Sequence, residues 1–263
     1  MALRSALINV MAGASLKAAR GLLRDFGEVE QLQVSKKGPA DFVSAADTAA
    51  ESTLLNELQR ARPDYGALTE ERGEIRSQGS KRRWLIDPLD GTINFLHGIP
   101  HFCISIGLEE NAQIVAGTIY DPLRDEMFWA EKGSGAYLND RRLRVSARGE
   151  LVDAVIATGI PHHGRDGQKR FLNHLESIMP NVSGVRRLGS AALDLAYVAA
   201  GRYEGFWEAG LKPWDLAAGI IMVREAGGYV SDLSGGDAML ESGGVIAAND
   251  RLHSSIARLV SGA

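Results

Sequence analysis

Beyond about Ser146 the chain alternates short apolar runs with helical stretches, and two of those stretches stop at glycine. Val155-Ile156-Ala157 reads as a strand, Gln168 to Ile178 as a helix, and Val185 to Leu188 as a strand. Ala191 to Ala200 is a helix ended by Gly201, and Tyr203 to Trp207 a strand. Trp214 to Ala226 is a helix ended by Gly227, followed by strands at Tyr229 to Ser231 and Val245 to Ala248 and a last helix from Asp250. Glycine just past a helix supplies the left-handed residue that closes it. Alternation of this kind implies a sheet covered by helices.

The first half reads differently. Leu3, Leu7, Val10, Met11, Ala14, Ala18 and Leu22 recur every three or four residues, the period of an amphipathic helix. Lys36-Lys37-Gly38-Pro39 reads as a loop, and a second helix runs from about Ser44 to Ala61, before Pro63. Trp84-Leu85-Ile86 is a short buried strand. Ile104 to Leu108, Ile114 to Tyr120 and Glu126 to Ala130 look like antiparallel strands, with a hairpin turn at Asn139-Asp140. The composition changes near residue 147. We therefore expect one compact unit with an N-terminal α+β half, 1–146, and a C-terminal α/β half, 147–263. At roughly 150 residues per domain, 263 residues give one to two domains.

Such a length buries a core without disulfides or a structural metal. Charged residues make up 24% and the formal charge is −4, so the whole chain gives no electrostatic reason to bind nucleic acid. A single cysteine, Cys103, excludes an internal disulfide framework and fits a cytoplasmic location. No run of 18 apolar residues exists, and Met1 to Arg24 lacks the apolar core of a signal peptide, so neither a membrane span nor export is expected.

The densest chemical signal is Trp84-Leu85-Ile86-Asp87-Pro88-Leu89-Asp90-Gly91-Thr92. A buried strand delivers Asp87 to its end, where Pro88 removes a ladder donor. Asp90 follows, and Gly91 frees the backbone for close approach. Two carboxylates this close repel unless a cation lies between them, and hard oxygen donors suit Mg²⁺. The N–H groups of Gly91 and Thr92 could face a phosphate if a helix starts there. A solvated Asp-Pro-x-Asp-Gly turn has the same sequence. Further acidic features are Glu70-Glu71 after Thr69, Asp47 with Glu51 one turn later, and Trp214-Asp215 opening a helix. Each has a plainer reading: a charged turn, a capping box from Ser44, and a helix cap.

Together these features resemble the inositol monophosphatase family of Mg²⁺-dependent, lithium-sensitive phosphatases. Its first signature, W-[IV]-[IV]-D-P-[IL]-D-G-T-x-N-F, corresponds to Trp84 through Phe95. Its second, W-D-x-A-A-G followed by E-A-G-G, corresponds to Trp214 through Gly219 and Glu225 through Gly228. Asp47, Glu51, Glu70 and Glu71 match the upstream acidic pattern, and the likeness runs from about Lys36 to Asn249. Thr69 stands where glycine usually precedes the Glu pair, and Ile93 replaces the usual threonine.

The resemblance implies an αβαβα sandwich of the inositol monophosphatase and fructose-1,6-bisphosphatase type, with a metal site where the halves meet. It implies two or three Mg²⁺ ions held by Glu70, Asp87, Asp90, Asp215 and the Leu89 carbonyl. Thr92 and Asp47 would align the attacking water, with Glu70 also in the catalytic set. Asp90, Gly91, Thr92, Gly189, Ser190, Ala191, Glu208 and Asp215 would contact a small phosphorylated polyol, Glu208 through its hydroxyls. Lys36 would lie near a loop that helps bind a further metal. A cytoplasmic homodimer hydrolysing inositol 1-phosphate is the resulting expectation.

Fructose 1,6-bisphosphate, 3′-phosphoadenosine 5′-phosphate and histidinol phosphate are alternative substrates for the same chemistry. An alternative of another class is an RNA-binding or transcription-machinery protein, motivated by Lys81-Arg82-Arg83, Arg141-Arg142-Arg144 and Arg186-Arg187. His97, His101, His162 and His163 read as ordinary loop or surface histidines, and Cys103 as a buried, inert thiol. Gly133-Ser134-Gly135 lacks the rest of a dinucleotide fingerprint.

Overall fold

The computed structural model describes residues 4–28, 34–36, 42–161 and 166–262. Helix α1 (Ala6–Phe26) is capped by Ser5, whose hydroxyl accepts from the Ile8 N–H. Its apolar stripe is buried from Ile8 to Leu22. The short ribbon β1 (Val34–Lys36) and β2 (Phe42–Ser44) leads into α2 (Ala45–Ala61). The next strands are β3 (Gly66–Thr69), β4 (Gly73–Ile75) and β5 (Arg82–Asp90), after which α3 (Thr92–Leu96) makes one short turn. A meander then follows: β6 (Cys103–Glu110), β7 (Gln113–Asp121), β8 (Glu126–Glu131), β9 (Gly135–Leu138) and β10 (Arg141–Arg142).

These strands form one eight-stranded sheet in the order β10-β9-β8-β7-β6-β5-β3-β4. All neighbours are antiparallel except β3 and β5, which run parallel. The rest of the chain gives β11 (Val155–Thr158), α4 (Gln168–Ile178), β12 (Gly184–Arg186), α5 (Ala191–Ala199), β13 (Gly205–Glu208) and α6 (Pro213–Glu225). It ends with β14 (Tyr229–Ser231), α7 (Met239–Ser242), β15 (Val245–Ala248) and α8 (His253–Ser261). A five-stranded sheet results, in the order β12-β11-β13-β15-β14.

Alternate strand residues face opposite sides, and each sheet here is covered on both. Ile86, Ile104, Ile106 and Leu108 pack with α1 and α2. Cys103, Ile119 and Phe128 point the other way, into a core shared with α5, α6 and the inner face of the five-stranded sheet. Ile156, Trp207 and Ile246 pack on its outer face with α8 and the end of α4. The layers therefore run α, β, α, β, α, as expected. Helix α6 lies unusually close to the large sheet. A Cβ on Gly107 would sit 2.6 Å from the Ala217 Cβ, and one on Gly117 would sit 2.7 Å from the Ala218 Cα. These two glycines let the helix seat with its N-terminus at the sheet's end, where the Ser105 hydroxyl donates to the Trp214 carbonyl across 3.2 Å.

Several local expectations change. Strand β5 does not stop at Pro88 but continues to Asp90 through a register shift: Asp87 pairs with Ser105 and Asp90 with Cys103. The missing proline donor is absorbed in this bulge. The β3–β4 hairpin and α3 are too short for periodicity to reveal. The strand expected at Val185 to Leu188 is Gly184–Arg186, and the last helix begins at His253, not Asp250. Residues 37–39 of the expected loop, together with His162 and His163, lie outside the described residues.

Candidate active site

Where the two sheets and the starts of α3, α5 and α6 converge there is a cavity of about 690 Å³. Glu70, Asp87, Asp90, Thr92, Glu208 and Asp215 line it, and Asp47 stands behind Thr92. Distant segments thus bring the expected residues to one place.

Each carboxylate is positioned by a different local device. At the β5 bulge, the Leu89 N–H donates to Asp87 Oδ1 across 2.9 Å. Gly91 follows at φ +101°, and a Cβ there would meet the His101 carbonyl oxygen at 3.0 Å. The chain turns directly into α3. Thr92 Oγ1 then lies 2.9 Å from the Leu89 carbonyl oxygen and 3.2 Å from Asp47 Oδ2. Asp90 reaches the opposite layer. Its Oδ2 accepts from the Ser190 hydroxyl at 2.6 Å and from the Ala192 N–H at 2.8 Å, so the N-terminus of α5 holds it. Ser190 also caps that helix, accepting from the Leu193 N–H. Asp215 accepts from the Lys212 N–H across 2.8 Å, so it caps α6 while lining the cavity. The helix-cap reading holds, and it leaves Asp215 on the cavity wall.

Glu70 follows β3 in the β3–β4 turn, which Thr69 and Glu51 shape. Thr69 is buried, and its hydroxyl accepts from the Arg72 N–H. Buried Glu51 accepts from the Glu71 N–H at 2.8 Å. Glu51 therefore fixes the turn that presents Glu70 and does not line the cavity itself. Glu208 ends β13 against Gly159, where a Cβ would lie 1.9 Å from its carboxylate oxygen. Only glycine leaves that carboxylate its place.

The electrostatics are severe. Burial pushes the Asp87 carboxyl well up, and the charges of Glu70, Asp90, Asp215 and Asp47 push it further. Burial also raises Asp90, against its hydrogen bonds from Ser190 and α5. Among the described residues, no three His, Cys, Asp or Glu side chains form a ready-made metal cage. The donor set still has the chemistry of a divalent cation site. Its members are hard oxygens, and their mutual repulsion is what a divalent charge relieves.

Other residues settle into supporting places. Cys103 is fully buried, 3.6 Å from the Ser190 hydroxyl and 3.9 Å from Asp90 Oδ2, and burial pushes its thiol well up. His101 lies in the loop between α3 and β6, as expected, but inside the protein. It is buried edge-on to Tyr197, and burial lowers its imidazole to about 4. Asn94 donates to the carbonyls of His101 and Leu188 at 2.7 and 2.8 Å, tying α3 to the turn before α5. Asn94, Asp194 and Arg187 also line the cavity, and none was expected there from the sequence. Asp194 carried a signal: it is the one charged residue in an otherwise apolar helix, α5.

An αβαβα sandwich with an acidic cavity at its helix starts is the architecture of layered phosphatases. The chain matches the inositol monophosphatase family over residues 3–263. It is 58% identical over 257 residues to an inositol-1-monophosphatase of Mesorhizobium japonicum, covering 98% of this chain and 97% of that one. It is 40% identical over 246 residues to the Nus factor SuhB of Escherichia coli, covering 94% and 92% of the two chains. A crystal structure of the extragenic suppressor protein suhB from Bartonella henselae superposes with a TM-score of 0.95 at 56% identity, covering 97% and 98%. This chain belongs to the inositol monophosphatase family and is a phosphatase. No helix among the described residues is long and apolar enough to cross a membrane.

Proposed function

We propose that the protein is a Mg²⁺-dependent phosphate monoester hydrolase that converts inositol 1-phosphate and water to inositol and phosphate. The observation that carries this reading is the convergence of Glu70, Asp87, Asp90 and Asp215 on one cavity beside the Thr92–Asp47 pair. Those four carboxylates and the Leu89 carbonyl would hold two or three Mg²⁺ ions. Residues 1–146 would supply most of these ligands, and 147–263 would supply Asp215 and the substrate contacts. Bound Mg²⁺ supplies positive charge for the phosphoryl oxygens and lowers the pKa of water.

The side chains do the remaining work. The Thr92 hydroxyl donates toward Asp47 or the Leu89 carbonyl, which leaves its lone pairs to accept from a water. The proton released as the water attacks phosphorus passes through the Thr92 hydroxyl to Asp47, and solvent water in the cavity protonates the departing inositol oxygen. Gly91 and Thr92 present backbone at the start of α3 to the phosphoryl group, and Gly189, Ser190 and Ala191 border the sugar side. Glu208, seated against Gly159, accepts from substrate hydroxyls. Positioning and electrostatics carry phosphoryl transfer, so no covalent phosphoenzyme is needed.

The test is phosphate release from inositol 1-phosphate, fructose 1,6-bisphosphate, 3′-phosphoadenosine 5′-phosphate and histidinol phosphate, with and without Mg²⁺. Mg²⁺-dependent turnover led by the inositol ester supports the reading, and another leading substrate renames it. A folded Asp90→Asn variant with near-normal turnover would sink the metal assignment. Lithium inhibition and a dimer in sedimentation belong to the same reading.

The likeness to a protein named Nus factor SuhB favours a second reading, a role in the transcription machinery. Its candidate surface is partly neutralised: Arg82 pairs with Glu110 at 2.9 Å and Arg83 with Glu109. Salt-sensitive retention on RNA would support it, and no retention at low salt would end it.

A further inference from the structure

We propose that Asp194 is a specificity-determining residue of the cavity: its carboxyl accepts a hydrogen bond from a substrate hydroxyl, beside Glu208, and so selects polyol phosphates. The inference rests on the phosphatase reading above and deepens it.

Asp194 sits in the first turn of α5, only 1% exposed, and lines the cavity. Its Oδ1 is sealed from solvent and has no hydrogen-bond partner among the described residues. A buried carboxyl oxygen without a donor is costly, so such a group calls for an explanation. The described residues supply none. Ser190 already caps α5 through the Leu193 N–H, and the Asp194 backbone N–H is used by the Ser190 carbonyl. The rest of the helix is apolar. Proximity to a helix N-terminus eases a negative charge there but provides no donor.

The surroundings point to what does. Burial, then the charges of Glu208 and Asp90, push the Asp194 carboxyl well up, and Arg187 offsets them. Glu208 comes from the five-stranded sheet and Asp194 from the helical layer, yet both face one cavity. A carboxyl carbonyl oxygen accepts a hydrogen bond in either protonation state. The unpartnered Asp194 Oδ1, in the cavity that Glu208 also lines, matches a ligand with several hydroxyl donors. An aromatic or alkyl leaving group offers no donor and leaves the Asp194 oxygen unsatisfied. A site built around hydroxyls discriminates strongly against analogues without them.

The experiment compares inositol 1-phosphate with phenyl phosphate, a six-membered ring without hydroxyls, in the wild type and in Asp194→Asn and Asp194→Ala. We expect the ratio of kcat/KM for the two esters to fall by about ten-fold or more in both variants, through a higher KM for the inositol ester. Equal losses on both esters would make Asp194 a structural group and overturn the proposal, as would an unchanged ratio. Thermal melts check folding, and Asp194→Asn, which keeps the side-chain size, carries the comparison if the alanine variant is unfolded. A wild type that hydrolyses neither ester in Mg²⁺ sinks the phosphatase reading and the proposal with it. A wild type that hydrolyses both, with unchanged variants, sinks the proposal alone.

Discussion

Ser190 donates its hydroxyl proton to Asp90 across 2.6 Å, joining the start of α5 to the bulged end of β5. One side chain thereby caps a helix and orients a carboxylate from another layer. Replacing Ser190 by alanine removes both. Loss of the cap costs about 1 kcal/mol of stability. Loss of an orienting partner beside a proposed metal ligand lowers activity by about ten-fold or more. Urea unfolding and phosphate release against Mg²⁺ concentration measure the two effects separately. A variant with wild-type Mg²⁺ dependence would show that the α5 backbone alone holds Asp90.

Gly159→Ala tests the seat of Glu208. The new Cβ would fall 1.9 Å from the Glu208 carboxylate, which must swing away. Since a movable side-chain end yields, we expect under about 1 kcal/mol of destabilisation. The expected functional effect is a KM for inositol 1-phosphate raised about ten-fold. Steady-state kinetics and a thermal melt on the same sample check both numbers.

Glu51→Ala removes the acceptor of the Glu71 N–H and loosens the turn that carries Glu70. Leaving that buried network unsatisfied costs about 1–3 kcal/mol. Half-maximal Mg²⁺ for turnover rises about ten-fold, although Glu51 does not line the cavity. Unchanged Mg²⁺ dependence would confine Glu51 to a folding role.

His101 makes stability depend on pH. Burial holds its imidazole at about 4, below the ordinary 6.5, so the folded protein keeps it neutral where the unfolded chain binds a proton. Its contribution is full above pH 6.5 and is lost as pH falls toward 4. The loss amounts to roughly 2–3 kcal/mol across that window. Between pH 7 and pH 4.5 the unfolding free energy from urea titrations should fall less in His101→Phe than in the wild type, by that amount.

Much of the architecture was legible locally. The helices ended by Gly201 and Gly227, and the strands at Tyr229–Ser231 and Val245–Ala248, follow from period and punctuation alone. What periodicity cannot report is the partner. Nothing local says that β3 runs parallel to β5, or that Cys103 and Phe128 face a second sheet across α5 and α6. The two long motifs located the cavity carboxylates because their spacing is specific. Glu51 was legible as part of the acidic pattern but not as the acceptor of the Glu71 N–H 20 residues away, and the role of Asp194 was not legible because a missing partner leaves no local trace.

The register shift in β5 has a further consequence, one of parity. Side chains three positions apart on a regular strand point to opposite faces. Asp87 and Asp90 are three apart, yet they pair with Ser105 and Cys103, which are two apart and share a face. The additional residue converts an odd separation into an even one. A straight strand would have buried one of these carboxylates under α1 and α2, and the bulge is what lets a single strand aim both at the same cavity.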